Sequence, residues 1–144
     1  MRGEYVSVSE PSGCGTSTFL SILALLDTPS SGRYWLNGRA TDRLSAGDKA
    51  REAAARILVG RHQQLVAVAR AITGRPAILL ADEPTGNPDS KSGEALMQMF
   101  GELHAGGATV CLATHDPRWL TQVQRHIYLF DGRMVDRASS ESDS

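Results

Sequence analysis

The spacing of apolar and polar residues divides the chain into short strand-like runs and longer helical segments. Apolar or alternating runs bounded by glycine, proline or charged residues predict strands at 4–9, 33–38, 77–82, 109–115, 126–130 and 133–137. Longer segments with helix start and stop residues predict helices at 16–27, 63–74, 89–107 and 117–124. Because strands and helices alternate over most of the chain, the predicted fold class is α/β with a largely parallel sheet.

Residues 39–56 differ from this pattern, because they are polar at first and then rich in alanine and charge. They predict a turn that leads into a solvated helix, and they show no strand pattern. Residues 138–144 are small and polar and predict a disordered tail. A chain of 144 residues is long enough to bury a core, so a single domain is predicted over residues 1–137.

Composition and charge narrow the classes of function. The net charge is −1, which gives no basic field for nucleic acid and predicts no nucleic-acid partner. No apolar run reaches transmembrane length, so membrane association would have to come through a partner protein. The two cysteines, Cys14 and Cys111, stand far apart and form no metal-binding pattern, so reduced thiols are predicted.

The segment "EPSGCGTST", residues 10–18, has the strand-loop-helix context of a phosphate-binding loop. Gly13 and Gly15 permit backbone conformations that direct successive N–H groups at an anion. The positive end of the following helix adds to this attraction, and Ser17 stands where a hydroxyl would bind Mg²⁺. The candidate phosphate-binding residues are Ser12, Gly13, Cys14, Gly15, Thr16, Ser17 and Thr18.

Two residues depart from the loop pattern G-x-x-x-x-G-K-[ST]. Glu10 replaces the first glycine, and Thr16 replaces the lysine that would reach the β- and γ-phosphates. Loss of one charge-assisted contact costs about 1.5–3 kcal/mol, and a carboxylate at the loop mouth repels phosphate. Both changes weaken nucleotide binding, and a Gly/Ser-rich turn without a ligand stays open as the alternative.

Acidic and histidine side chains follow two of the predicted strands. Asp82 and Glu83 close the apolar run "AILL", and His115 ends the next strand. A carboxylate at the C-terminal end of a parallel strand points into the ligand crevice, where Asp82 can hold Mg²⁺ and Glu83 can polarise a water. Each residue alone is also typical of a cap or a loop, and their order after the phosphate loop favours one shared site.

These motifs together resemble the nucleotide-binding subunit of ATP-binding-cassette (ABC) transporters. The resemblance covers nearly the whole chain except the tail, and it rests on "SGCGTST", "VAVARAI", "LLADEPTGN" and "LATHD", in that order. The segments "ADEPTGNPDS" and "IYLFDGRMV" are most similar to the branch that includes macrolide exporters and lipoprotein-releasing systems. The resemblance implies a P-loop NTPase core.

The resemblance also implies partners and residue roles. Members of this family form a homodimer or pseudo-dimer of ATPase domains that sandwiches two ATP molecules with Mg²⁺. They lie at the cytoplasmic face of the cell membrane through a permease subunit. By match to the family's motifs, Asp82 is the Mg²⁺ carboxylate, Glu83 the catalytic base and His115 the switch histidine, while Asn87 and Asp89 match the loop that crosses the dimer interface.

The segment matched to the family's signature, L-S-G-G-Q, is altered. Only Leu58 and Gly60 match it, and Val59, Arg61 and His62 replace its serine, second glycine and glutamine. In the family, the serine and the backbone donors grip the γ-phosphate held by the opposite subunit. Val59 has no hydroxyl to replace that of the serine. Arg61 is too large for a position that glycine occupies in the family. The alternative interpretation is that the positive charge of Arg61 attracts phosphate.

A part of the family's fold is also missing. The family carries a strand, a glutamine-bearing loop and a helical subdomain before the signature, whereas only residues 39–57 span that distance here. That subdomain normally touches the membrane partner. Without the strand, the apolar run 78–80 is predicted to line an unprotected sheet edge. The aromatic residue that stacks on adenine is also lacking, and Tyr5 is predicted to belong to the core.

Three hypotheses follow from these departures. The first is an ABC-transporter ATP-binding subunit with weak ATP binding and little or no turnover. The second is a non-catalytic remnant or regulatory interaction module of the same fold, which the missing lysine favours and the intact Asp82, Glu83 and His115 disfavour. The third is a DNA-repair relative of the same ATPase class, which the net charge of −1 and the transporter-like "DEPTGN" disfavour.

Overall fold

A six-stranded sheet in the order β4-β5-β6-β1-β7-β8 forms the centre of the computed structural model. The structure describes residues 3–10, 15–36, 38–59, 65–84 and 91–135. The strands of this sheet are β1 Tyr5–Ser9, β4 Arg56–Val59, β5 Ile78–Asp82, β6 Thr109–Ala113, β7 Arg125–Phe130 and β8 Arg133–Val135. Every pairing is parallel except that of β7 with β8. The predicted α/β class with a largely parallel sheet is confirmed.

Five α-helices flank the strands in the described part of the chain. They are α1 Thr16–Leu23, α2 Ala46–Ala54, α3 Leu65–Thr73, α4 Lys91–Ala105 and α5 Pro117–Leu120, with a single 3₁₀ turn at Thr41–Arg43. Ser45 begins α2 by accepting a hydrogen bond from the Asp48 backbone N–H at 3.1 Å. Across the described ranges, no helix combines the length and the apolar character needed to cross a bilayer.

The central strands are buried on both faces because helices cover the sheet on each side. One apolar cluster contains Tyr5, Val68, Leu79, Ala81, Leu96, Met97, Phe100, Val110, Leu112 and Trp119. The other contains Val8, Leu20, Ala24, Leu80, Cys111 and Ala113. Burial on both faces explains why β5 and β6 are nearly continuous apolar runs rather than alternating ones. The prediction that Tyr5 belongs to the core is confirmed.

The sequence predicts that one strand of the family's sheet is missing, but a strand is present beside β5. This corrects two predictions. β4 pairs in parallel with β5, with Leu58 opposite Leu80 and Val59 opposite Ala81. Residues 39–57 therefore do supply strand structure, and β5 is an interior strand rather than an unprotected edge. β4 was not predicted from the sequence, because "RILV" follows the Ala-rich helix α2 without a glycine or proline between them.

The same correction changes how the signature segment is interpreted. Leu58 and Val59, which were matched to the signature loop, lie within β4. These two positions therefore form part of a strand rather than of the signature loop that the resemblance implies. Gly60, Arg61 and His62 lie outside the described residues.

Several predicted boundaries also shift. α1 ends at Leu23 rather than at 27, because the chain turns at Leu25, which has a φ of 61°. The predicted strand 33–38 is a hairpin arm, in which β2 (Trp35–Leu36) pairs with β3 (Arg39–Ala40) in a separate two-stranded sheet. Gly38, with a φ of 77°, permits this turn. The predicted terminal hairpin is confirmed as β7 and β8, and the tail 138–144 lies outside the described residues.

A buried hydroxyl in the core gives a first testable prediction. Within the described part of the chain, the Tyr5 hydroxyl has no hydrogen-bond partner. Burying an unpaired hydroxyl is unfavourable, so Tyr5→Phe should raise the free energy of unfolding by about 1 kcal/mol. The Tyr34 hydroxyl donates to the Leu23 carbonyl at 3.3 Å, so Tyr34→Phe should lower it by about 1 kcal/mol. Urea unfolding followed by circular dichroism measures both, and equal effects would contradict the assignment.

Candidate functional site

The candidate site is a cavity of about 280 Å³ at the carboxyl ends of β1, β5 and β6. These three strands are neighbours in the sheet, so the loops that follow them meet at one edge. The lining residues are Val8, Glu10, Thr16, Ser17, Asp82, Glu83, Ala113, Thr114 and His115. Three separate motifs of the sequence therefore contribute to a single cavity.

Glu10 and Thr16, the two departures from the phosphate-loop pattern, contact each other inside this cavity. The Thr16 hydroxyl donates to Glu10 Oε2 at 3.2 Å. Glu10 is only 1% exposed and Thr16 is 9% exposed. The prediction that Glu10 lies at the mouth of the loop is therefore wrong, because its carboxylate points inward. Glu10 follows directly after β1, whose pairing on both edges holds it in this place.

Ser17 and Asp82 bring two oxygen ligands together. The Ser17 hydroxyl, in the first turn of α1, donates to Asp82 Oδ2, at the end of β5, at 2.5 Å. Hydroxyl and carboxylate oxygens are the ligands that Mg²⁺ prefers in proteins. The pair fits one corner of a Mg²⁺ site, and the role of these two residues as Mg²⁺ ligands stays a prediction. Across the described residues, no group of three or more histidine, cysteine or acidic side chains is arranged to hold a metal ion.

The Glu83 backbone has an uncommon conformation that one hydrogen bond helps to hold. Its φ is 45°, in the left-handed region, and its N–H donates to the Ala113 carbonyl at 2.8 Å. Non-glycine residues in this region cluster at functional sites. The Glu83 Oε1 atom lies 3.4 Å from His115 Nε2. The predicted base and the predicted switch histidine are thus in contact, although they belong to different loops.

The loop that carries His115 is supported by its neighbours. The Asp116 N–H donates to the buried Thr114 hydroxyl at 3.1 Å. Asp116 caps α5 and accepts hydrogen bonds from the Arg118 guanidinium, which hold the pKa of the Asp116 carboxyl below its usual range. Thr114 lines the cavity but was not predicted as a site residue. Its position directly before His115 was the signal that could have identified it.

The remaining candidate residues do not line the cavity or lie outside the described residues. Gly15 directly precedes α1 and has a φ of 130°, a backbone conformation that is strained for residues with a side chain. Thr18 is exposed on α1 and does not line the cavity. The other candidate residues, namely Ser12, Gly13, Cys14, Asn87 and Asp89, lie outside the described residues.

The charge of the cavity does not suit a polyphosphate. Glu10, Asp82 and Glu83 all line it, and two of these carboxylates are expected in a Mg²⁺-nucleotide site, whereas Glu10 is not. A buried carboxylate next to phosphate oxygens has no solvent to screen the repulsion. The residues present therefore fit Mg²⁺ at Ser17 and Asp82, but the Glu10 carboxylate does not fit a phosphate beside it.

Comparison with known proteins shows which family the chain resembles. The chain is 33% identical over 191 positions to the uncharacterized ABC transporter ATP-binding protein MJ1508 of Methanocaldococcus jannaschii, covering 94% of this chain and 85% of that protein. It is 32% identical over 196 positions to the uncharacterized ABC transporter ATP-binding protein YknY of Bacillus subtilis, covering 97% and 85%. No protein-family model matches the chain.

A third relative is much longer than this chain. The macrolide export ATP-binding/permease protein MacB 1/2 of Paracoccus denitrificans is 33% identical over 190 positions, which cover 93% of this chain and 28% of that protein. The match to MJ1508 spans 191 positions although this chain has 144 residues, so at least 47 of those positions fall in gaps of this chain.

Solved structures agree with the sequence comparison. The dimeric structure of MJ0796, a bacterial ABC transporter cassette, matches with a TM-score of 0.81 and 27% identity, over 94% of this chain and 85% of that chain. A dimeric post-hydrolysis state of the same cassette, bound to ADP and Pi, matches with a TM-score of 0.79 and 26% identity over the same shares. The chain therefore belongs to the family of ABC transporter ATP-binding proteins.

Proposed function

We propose that this chain is an ATP-binding subunit that couples ATP binding and hydrolysis to export by an ABC transporter, and that nucleotide binding and turnover are impaired in it. The observation that carries the proposal is the convergence of the Ser17–Asp82 pair and the Glu83–His115 pair on one cavity. Relatives named as ABC transporter ATP-binding proteins support it.

The proposed roles follow from these contacts. Ser17 and Asp82 would hold Mg²⁺, which supplies neutralising positive charge when bound. Glu83 would accept a proton from a water, because Glu83 lines the cavity and its backbone N–H donates to the Ala113 carbonyl, which fixes the backbone there. His115 would orient Glu83 through the 3.4 Å contact. The phosphate-binding role is proposed for residues 12–14, for Gly15 and for the backbone N–H of Thr16, since the Thr16 hydroxyl donates to Glu10.

The proposal includes partners and a location. A solved relative is a dimer bound to ADP and Pi, and another relative is named as an ATP-binding/permease protein. We infer a pair of ATPase domains, a permease subunit as the membrane partner, and a position at the cytoplasmic face of the membrane. Residues 1–137 would form a single domain that is shortened internally.

A non-catalytic module of the same fold is the second candidate. The buried Glu10 carboxylate and the absence of a lysine at position 16 favour it. The two candidates differ in one respect that can be measured, because only a working subunit releases phosphate through Glu83.

Release of phosphate from radiolabelled ATP, at high protein concentration with Mg²⁺, tests the proposal. We expect slow release by the parent chain and a loss of about 100-fold or more in Glu83→Gln, because general-base catalysis contributes this much. Glu94→Gln is the matched control, because Glu94 is exposed in the first turn of α4 and does not line the cavity. Parent and Glu83→Gln rates that equal the no-protein background would support the non-catalytic candidate instead.

A further inference from the structure

The two substitutions in the phosphate loop form a single unit in the folded chain. We infer that Glu10 and Thr16 together determine the ligand specificity of the cavity. The Glu10 carboxylate takes the place of a phosphate group, and Thr16 holds it there. This inference rests on the proposed function, since it concerns the same cavity. Its specific content is that changing either residue alone does not restore a phosphate site.

The position of the carboxylate carries the first step of the argument. Its two oxygens lie 3.6 and 3.9 Å from the point that a side-chain carbon on Gly15 would occupy. Gly15 directly precedes α1, and no described side chain caps that end of the helix. The N-terminal end of a helix attracts anions. Glu10 is therefore a built-in anion lying against the backbone that the family uses for phosphate.

Burial makes this arrangement persistent. Glu10 is 1% exposed, so its carboxylate does not simply turn into solvent when a second anion arrives. The Thr16 hydroxyl donates to it at 3.2 Å. Secondary structure holds both residues of this contact in place. Glu10 directly follows β1, the interior strand between β6 and β7, and Thr16 is the first residue of α1.

The contact predicts that the two positions are coupled. A lysine introduced by Thr16→Lys alone would place its ammonium beside the Glu10 carboxylate. The two charges would then neutralise each other, and little attraction would remain for phosphate. Glu10→Gly alone removes the repulsion but supplies no cation. Only the two changes together leave a free positive charge and an open subsite. The gain in affinity of the double variant should therefore exceed the product of the gains of the two single variants.

The test measures four proteins: the parent chain, Glu10→Gly, Thr16→Lys and the double variant. Calorimetry with the Mg²⁺ complex of inorganic tripolyphosphate reports on the phosphate subsite alone, and MgATP reports on the whole nucleotide. We expect each single change to increase affinity for tripolyphosphate less than about tenfold, and the double change to increase it at least about 100-fold, the size of a charge-assisted contact. Glu94→Gln is again the matched control and should leave affinity unchanged.

Circular dichroism must first show that each variant is folded. Because Glu10→Gly removes a buried side chain, the double variant Glu10→Gln/Thr16→Lys provides a second version that keeps the volume and removes only the charge. If Thr16→Lys alone binds as tightly as a double variant, the coupling is wrong while the proposed function stands. If the folded double variants bind neither probe, the cavity is not a phosphate site, and the proposed function fails with the inference.

Discussion

Phe100→Ala is expected to lower the free energy of unfolding by about 3–5 kcal/mol, the cost of leaving a cavity in a packed core. Phe100 lies on α4, is 0% exposed, and packs in the cluster that joins this helix to β5 and β6. The carboxyl ends of those two strands also lead into the cavity, where Asp82 ends β5 and Ala113 ends β6. Domains of this size are stabilised by about 5–15 kcal/mol in total, so the substitution should remove at least about a fifth of the stability.

Phe130→Ala is the matched control for this experiment. Phe130 ends β7 and is 47% exposed, so the same truncation should cost less than about 1 kcal/mol. Urea unfolding followed by circular dichroism gives both values. A Phe100→Ala loss no larger than that of Phe130→Ala would mean that α4 does not pack on the sheet as described.

Raising the pH from 8 to 11 is expected to lower the free energy of unfolding by about 4 kcal/mol, from Cys111 and Tyr5 together. Burial raises the pKa of the Cys111 thiol from 9.0 to about 12 and the pKa of Tyr5 from 10.0 to about 12. In both cases the folded state keeps its proton at a pH where the unfolded chain loses it. The stability is therefore fully present below the unfolded pKa and is lost as the pH rises towards the folded pKa.

Two variants separate these contributions by their pH windows. Between pH 9 and 10 the loss comes mainly from Cys111, at about 1.4 kcal/mol per pH unit at most, so Cys111→Ala should flatten the profile there. Above pH 10 Tyr5 adds its share, which Tyr5→Phe should remove. Denaturant unfolding at each pH measures the profiles. Identical slopes in the parent and in both variants would overturn the assignment of these groups.

The interior strands of the sheet and the β7–β8 hairpin could be predicted from the sequence, whereas the edge strand β4 could not. β5 and β6 are apolar runs closed by proline, glycine and charged residues, so their position and burial were readable. β4 is one residue shorter than β5 and β6 and follows α2 almost directly, and the propensity of the preceding residues favours helix. Only the empty edge of β5 explains why "RILV" becomes a strand, and that edge exists only in the folded sheet.

The site shows the same division. The order of the motifs predicts that Asp82, Glu83 and His115 lie at strand ends and share one site with the phosphate loop, because a carboxylate at the end of a parallel strand points into the ligand crevice. The contact between Glu10 and Thr16 could not be predicted in this way. In the sequence, Glu10 and Thr16 are two separate departures from the phosphate-loop pattern. Only the inward direction of the Glu10 side chain in the structure shows that the Thr16 hydroxyl donates to its carboxylate.

The position of β1 in the sheet has a consequence for biosynthesis. Val6 pairs with Cys111 on one side and with Arg125 on the other, so β1 is translated long before either neighbour exists. Pairing between distant segments slows folding, and strands that wait unpaired are prone to aggregate. The central sheet can close only after β7 has left the ribosome. Ribosome-bound chains that stop before Arg125 should therefore bind chaperones more strongly than chains that include β7 and β8.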